Sequence, residues 1–428
     1  MILRFYSLLG WVLTPILWVW LKRRTKRGKE EAGRLGERFG KSRLSRPNGR
    51  LVWLHAASVG ETQSVLTVID KLLAQHDTLH ILVTTGTLTS ASMVKGKNLP
   101  RVIHQYLPSD VPLACKRFLS HWQPDLALWV ESELWPQMLH HIAQHKLPLM
   151  LINGRMSPRA YARWSRWPKL VKHMLGCFTT MFVMSEEDGA RYRLLGAKKV
   201  RYVGNLKYDA EALMADANSL AQLGEQIGSR PAWVAASTHP GEEMQLIHTH
   251  RQVKHLYPDV LTIIIPRHAH RGKAIAAELR TAGLQVAQRS EGDAILAQTD
   301  VYLADTMGEL GLFFRLSDIV FLGGSLIAHG GHNPLEPARL NCALLTGEHT
   351  HNFAAVMEAL RAQRAIQVVH DNDMLARAIV KLLADDEARL GMAERALNVV
   401  MASQGAADTI LQHINHLLHE RSAYANAA

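Results

Sequence analysis

Leu51-Val52-Trp53-Leu54 runs directly into His55-Ala56-Ala57-Ser58-Val59-Gly60-Glu61-Thr62. Four apolar residues without polar alternation read as a strand buried on both faces, the mark of a parallel sheet. The small residues and the glycine behind them bring the backbone close to a ligand, and Glu61 falls near the start of a helix. The figure repeats outward from this point. Short apolar or β-branched runs at 51–54, 80–85, 102–106, 126–130, 149–153, 180–184 and 199–203 alternate with amphipathic stretches of roughly 10–15 residues, the spacing of βαβ units. Residues 210–231 hold no strand candidate and close on Gly-Ser-Arg-Pro. The rhythm restarts at 233–237, 261–265, 301–304, 319–322, 343–346 and 365–369, and helical patterns then run from Met374 to the C-terminus. The expected fold is α/β. It has two consecutive Rossmann-like, doubly wound domains facing a cleft, at 51–209 and 232–428, joined by a linker at 210–231. Ligands of such sheets bind beyond the C-terminal ends of the strands.

Composition agrees with this. The chain has 428 residues, 47% hydrophobic and 20% charged, enough for two or three domains with substantial cores. Disorder, collagen and a coiled-coil rod are excluded. Three widely spaced cysteines (Cys115, Cys177, Cys342) exclude a disulfide scaffold or a four-thiolate zinc site and suit a reducing compartment. Residues 1–50 hold 13 Lys and Arg against three acids, so ten of the eleven net positive charges sit there. The remaining body is nearly neutral, which argues against a nucleic-acid-binding face.

The basic collar, residues 22–50, follows an apolar run from Phe5 to Leu21. The run is near the lower length limit for a membrane span. Its charge lies behind it, in Lys22-Arg23-Arg24, with no small-residue cleavage site, which favours a retained segment with the body in the cytoplasm. Trp11, Trp18, Trp20 and Arg4 suit the headgroup level, so a helix lying in the interface is a second reading, and a buried core helix a third. We expect a membrane-anchoring helix over 1–21 that holds the body of the protein at an anionic cytoplasmic surface.

Chemistry-bearing residues follow strands. Glu61 ends the first strand–turn unit, and Glu131 emerges at the end of the fourth run, in Trp129-Val130-Glu131-Ser132-Glu133-Leu134-Trp135-Pro136. Two carboxylates converging from different strands suit acid–base work. Glu61 also has a plainer reading, a glutamate in a helix's first turn that answers the macrodipole, and Glu133 reads that way. Lys207, in Gly204-Asn205-Leu206-Lys207-Tyr208-Asp209, places a cation near the domain boundary, or a solvated side chain. In the second half, Ser237-Thr238-His239-Pro240-Gly241-Glu242-Glu243 reads as strand end, loop and helix N-terminus, a seat for an anion. Pro266-Arg267-His268 and Asp305-Thr306-Met307-Gly308-Glu309-Leu310 follow two more strands. Gly323-Gly324-Ser325 leads through Gly330-Gly331-His332 to Asn333-Pro334-Leu335-Glu336-Pro337, with glycine turns able to offer N–H groups to phosphate and Glu336 placed to accept from ribose hydroxyls. G-x-G-x-x-G, the Walker pattern, G-x-S-x-G and H-E-x-x-H are absent. Among 23 histidines, the His248/His250 and His268/His270 pairs have a spacing that does not converge on one ion, so no metal is expected.

Taken together in order, these strings, with Arg34-Leu35-Gly36-Glu37-Arg38-Phe39-Gly40 and Ser185-Glu186-Glu187-Asp188-Gly189-Ala190, resemble those of bacterial 3-deoxy-D-manno-octulosonic acid (Kdo) transferases, lipid A glycosyltransferases of the GT-B fold. The resemblance covers nearly the whole chain, more loosely over the first fifty residues. It implies inverting, metal-independent transfer of Kdo from CMP-Kdo to a tetraacyl lipid A precursor (lipid IVA) at the inner membrane, with no cofactor and no nucleic acid. It implies that Glu61 is the proton acceptor and that Glu131 and Lys207 support the transition state. It places CMP on Pro266, Arg267, Met307, Gly308, Glu309, Asn333, Pro334, Leu335 and Glu336. Two other readings stand beside it: a GT-B enzyme using a UDP-sugar (a lipid-linked transferase or an epimerase), and a non-catalytic membrane-surface binding protein.

Overall fold

The computed structural model describes residues 2–426, and their side chains over 6–420. It divides into two compact units, Met1–Ala210 with Gln404–Ala428, and Glu211–Ser403.

The first unit is built on seven parallel strands: β1 (Leu51–His55), β2 (His80–Thr85), β3 (Val102–Tyr106), β4 (Leu126–Val130), β5 (Leu149–Gly154), β6 (Thr180–Val183) and β7 (Val200–Tyr202). Their spatial order is β3-β2-β1-β4-β5-β6-β7. Side-chain alternation explains why the first four residues of β1 are all apolar. Leu51 and Trp53 enter one core with Trp129, Phe118 and Leu149, while Val52 and Leu54 enter the other with Val68, Leu128 and Ile152. The order reverses between β1 and β4, so the segments after those strands diverge at the switch point.

The second unit repeats the plan with β8 (Ala232–Thr238), β9 (Leu261–Pro266), β10 (Val286–Gln288), β11 (Val301–Leu303), β12 (Ile319–Leu322), β13 (Ala343–Thr346) and β14 (Ile366–Val368), ordered β10-β11-β9-β8-β12-β13-β14. Every pair is parallel. β10 has no counterpart among the sequence-derived runs, because three residues at a sheet edge give no period to read. Residues 217–227 of the expected linker form a helix belonging to this unit.

Two features depart from expectation. The last helix, Ala406–Asn426, does not stay with the second unit. It packs on the first, burying Ala406, Ala407, Ile410, Leu411, Ile414 and Leu418 among residues of β1, β4 and β5. Asp209 caps its start by accepting from the N–H groups of Gly405 (2.6 Å) and Ala407 (2.9 Å).

The N-terminal membrane-anchoring helix is the second, and it is corrected. A helix forms over Ile2–Lys26, but among the described residues no helix is long and apolar enough to cross a membrane. Ser7, Gly10, Thr14 and Pro15 interrupt the apolar run, and one face is seated on the first unit. The Tyr6 hydroxyl donates to Asp110 (3.1 Å), Gln137 donates to Ser7 Oγ (2.7 Å), Gly10 packs close to Pro112, and Leu21 is buried. The side chains of Arg4 and Phe5 lie outside the described residues. The collar is likewise folded in rather than left as a solvated charge run. Arg38 donates to Glu30 and to the carbonyls of Gly86 and Leu107, and Arg34 pairs with Glu37 while donating to the His104 carbonyl.

Candidate active site: carboxylates on one unit, a nucleotide-type edge on the other

Glu61 lies in the first turn of the short helix Val59–Ser64, capped by Ser58. Its carboxylate folds back on the turn that follows β1. Oε2 accepts from the Ala57 N–H (2.8 Å), and Oε1 accepts from the Ser58 hydroxyl (3.0 Å). These bonds fix the group while leaving it half-buried. Burial pushes its pKa up, the Ala57 N–H pulls it back, and the negative charge of Glu131 raises it further.

Glu131 closes β4 with φ at 59°, a left-handed conformation that a non-glycine residue holds only when its surroundings dictate it. Here its N–H continues the ladder to Ile152, and its carbonyl accepts from the Tyr192 hydroxyl (3.3 Å). The Glu131 pKa is also raised, first by burial, against the pull of Lys207 and Arg155. Lys207 sits on a single 3-10 turn, Leu206–Asp209, tied by Asn205 Oδ1 to its own N–H. Glu131 is thus coupled electrostatically to Glu61 and to Lys207 at the carboxyl edge of one sheet.

Two neighbours escaped the sequence reading. Asn153 ends β5 with φ at 53° and accepts from the Leu206 N–H (3.1 Å), so it holds the turn that carries Lys207. An Asn-Gly pair at a strand end was the available signal. Glu133 is no first-turn decoration. It bonds His55 Nε2 (3.2 Å) and accepts from Trp135 Nε1 (2.8 Å). Fully buried His55 in turn meets Thr84 Oγ1 at 3.0 Å, and that oxygen accepts from Trp53. This chain fixes the floor between the β1 and β4 turns.

On the second unit, the ends of β9, β11 and β12 and the segments after them carry the residues assigned to CMP. Pro266 ends β9 and is buried, while Arg267 is exposed. Glu336 begins the helix Leu335–Arg339, and Asn333 donates to it at 3.2 Å. Burial pushes Glu336 up, and the charge of Arg267 opposes this. Pro334 and Leu335 are buried, with the Leu335 N–H taken by Asn333 Oδ1 (3.2 Å). Met307 is 71% exposed, Gly308 adopts φ of 86°, and Glu309 is held by Arg289 (2.8 Å), which pulls its pKa down. Arg267, Asn333 and Glu336 therefore interact as a group, whereas Glu309 is paired with Arg289.

The anion seat read at residues 237–243, and the N–H groups of the 323–325 turn, turn out to be filled from within. The fully buried Glu242 carboxylate accepts from His239 N (3.0 Å) and Gly324 N (2.6 Å) on Oε2, and from Ser325 N (3.1 Å) and Leu326 N (3.2 Å) on Oε1. Glu243 is bound by Arg271 through two bonds (2.7 and 3.1 Å). The protein's own carboxylates occupy those donors.

Comparison with known proteins decides the family. The model of the 3-deoxy-D-manno-octulosonic-acid transferase (kdotransferase) family matches residues 33–210. A 3-deoxy-D-manno-octulosonic acid transferase of Haemophilus influenzae is 34% identical over 417 residues, covering 95% of this chain and 96% of its own. The chain belongs to the Kdo transferases. The enzyme of the same description from Rickettsia bellii is 32% identical, over 96% of this chain and 99% of its own. The Kdo transferase described here is thus a glycosyltransferase that moves Kdo from CMP-Kdo to a lipid A precursor in lipopolysaccharide biosynthesis. Among solved structures, a UDP-GlcNAc 2-epimerase from Neisseria meningitidis matches with a TM-score of 0.58 at 15% identity, covering 86% of this chain and all of its own. That likeness is one of fold alone. It supports a GT-B architecture and leaves the UDP-sugar reading without a sequence basis.

Proposed function

We propose that Glu61 is the general base of this Kdo transferase, acting with inversion and without a metal. The observation that carries the assignment is the carboxylate itself. It is half-buried, held by Ala57 N–H and Ser58 at the switch point of the sheet, and raised in pKa. A base with a pKa nearer neutrality is better matched to removing a hydroxyl proton. As the proton passes to Glu61, the acceptor oxygen attacks the anomeric carbon of Kdo from the face opposite CMP. The bond from that carbon to the phosphate oxygen breaks, and CMP leaves with the electron pair. Lys207 and Glu131 offer opposite charges to a centre that gains oxocarbenium character beside the donor's own carboxylate. The second unit is the donor side. Arg267 complements the phosphate, Glu336 accepts from ribose hydroxyls, and Asn333, Pro334, Leu335, Pro266 and the Met307-Gly308-Glu309 turn shape the nucleotide's surroundings.

The acyl part of a tetraacyl acceptor has support in the first unit. A cavity of about 600 Å³ is lined by Leu9, Leu13, Leu17 and Trp20 on one side and by Ala57, Gly86, Val111 and Trp135 on the other. Ala57 is the residue whose N–H holds Glu61. Outside the cavity, Leu8, Trp11, Val12, Ile16 and Val19 expose an apolar face next to Lys22 and Arg23. That face supports peripheral association with the cytoplasmic side of the inner membrane, without a span.

Glu61→Gln tests the base. Glutamine keeps the shape but takes no proton, so turnover should fall by ~10²–10⁴-fold, with CMP affinity and melting temperature unchanged. Near-normal turnover in a folded variant would pass the role to Glu131.

A further inference from the structure

Three imidazoles meet on the second unit from positions some ninety residues apart in sequence. His239 follows β8, and His329 and His332 lie in the segment after β12, the neighbouring strand. A ring nitrogen from each lies within 4.8 Å of the other two. The Nε2 atoms of His239 and His332 face each other at 2.8 Å, with ring planes only 7° apart. The His329 ring centroid is 3.7 Å from that of His239. Gly324, at φ of 65°, forms the floor, and a Cβ there would stand 3.2–3.3 Å from Cδ2 of all three rings. Core packing does not account for the cluster, because exposure rises from buried His239 through half-buried His332 to exposed His329.

We propose that His239, His329 and His332 form a three-imidazole site for a divalent transition metal of the zinc class. The donor set is nitrogen only, which selects zinc, cobalt or nickel and disfavours magnesium and calcium. Bonds of 2.0–2.1 Å in tetrahedral geometry place ligand nitrogens about 3.4 Å apart. The three nitrogens already lie within 4.8 Å of one another, and the 2.8 Å pair has only to open by roughly 0.6 Å. The set contains no carboxylate, so a bound ion keeps its full charge and its remaining position is one for an anion or water. The site is assigned to metal binding and is independent of the base chemistry of Glu61.

Metal binding by the tag-free, metal-stripped full chain is the test. Cobalt should bind at one equivalent with the intense visible absorption of four-coordinate Co²⁺. Zinc should displace it, and excess Mg²⁺ should not. Loss of an outer-sphere partner alone weakens metal sites 10–100-fold, so loss of a ligand in His329→Ala should weaken zinc binding by at least roughly tenfold. His329 is exposed, so that variant should keep the parent melting temperature even if His239→Ala fails to fold. His248→Ala, which removes an exposed histidine elsewhere, should bind zinc like the parent. Pale octahedral cobalt, less than one equivalent bound, or unchanged zinc affinity in folded His329→Ala would each overturn the site.

Discussion

As the proposed base, the carboxyl group of Glu61 would work only when deprotonated, and its surroundings hold its pKa above the usual carboxylate value. Burial is the larger cause and the charge of Glu131 adds to it. The acidic limb of kcat/KM should therefore lie above ~4.3, the value of an unperturbed glutamate, with activity lost as pH falls through the raised pKa. Replacing Glu131 with Gln removes one of the two upward pushes. Its pH profile should show that limb displaced toward acid, whatever happens to the absolute rate, and a limb that stays put would mean the two carboxylates are not coupled. On the other unit, Glu336→Ala should remove charge-assisted hydrogen bonds worth about 1.5–3 kcal/mol, weakening CMP binding roughly 10–150-fold. Calorimetry reads this directly, and an unchanged Kd would retire the ribose role. Glu61, Glu131 and Lys207 were singled out because each lies in a segment that follows a strand of a parallel sheet. The sequence held no sign of their mutual charges, because β1 and β4 become neighbours only through the sheet order, and the turn after β7 is brought back to the end of β5 by Asn153.

At the scale of elements, the turn after β12 shows where reading by pattern stops. Glycines at 323 and 324 do mark a backbone that comes close to something, as their positions after a strand imply. A Cβ on Gly323 would stand 2.7 Å from the Ser237 carbonyl oxygen. The Gly323 N–H continues the ladder to the Ala236 carbonyl, and those of Gly324, Ser325 and Leu326 meet Glu242, some eighty residues earlier. An acid in the first turn of a helix carries the same sequence signature whether it faces water or a buried nest of donors. The consequence is testable, because both carboxylate oxygens accept from two N–H groups each. Glu242→Gln must turn its NH₂ toward one of those pairs in either orientation of the amide. Leaving buried donors without an acceptor should cost about 2–4 kcal/mol, despite near-identical volume. A melting temperature within a degree of the parent would show that the carboxylate does not hold the turn. The β10 strand and the three-histidine cluster were hidden for related reasons, one by brevity at an edge and the other by sequence distance.

For the whole molecule, the decisive departure is the chain's return to the first unit after Ser403. A helical pattern at the C-terminus was plain in the sequence. Its partner was not, since Ile410, Leu411, Ile414 and Leu418 are apolar wherever they pack. All four are at most 3% exposed and share a core with Val52, Leu54 and Leu72. Full burial of a Leu or Ile contributes about 1.5–3 kcal/mol, so the four together contribute ~6–12 kcal/mol. That is comparable with the ~5–15 kcal/mol that holds an entire domain folded. Deleting Gln404–Ala428 should therefore unfold the first unit and abolish transfer, although no residue assigned to the reaction is removed. The second unit keeps its own core around Trp233, Phe321 and Leu345, so CMP binding should persist. Ile414→Ala gives a graded version, because an interior Ile→Ala change costs about 2–5 kcal/mol and the protein should remain soluble enough to melt. Hydrogen exchange resolves the outcome by region: lost protection in β1, β4 and β5 with β8, β9 and β12 unchanged. A truncated chain that melts within a few degrees of the parent and still transfers Kdo would mean that the last helix is an accessory and the first unit closes its core without it.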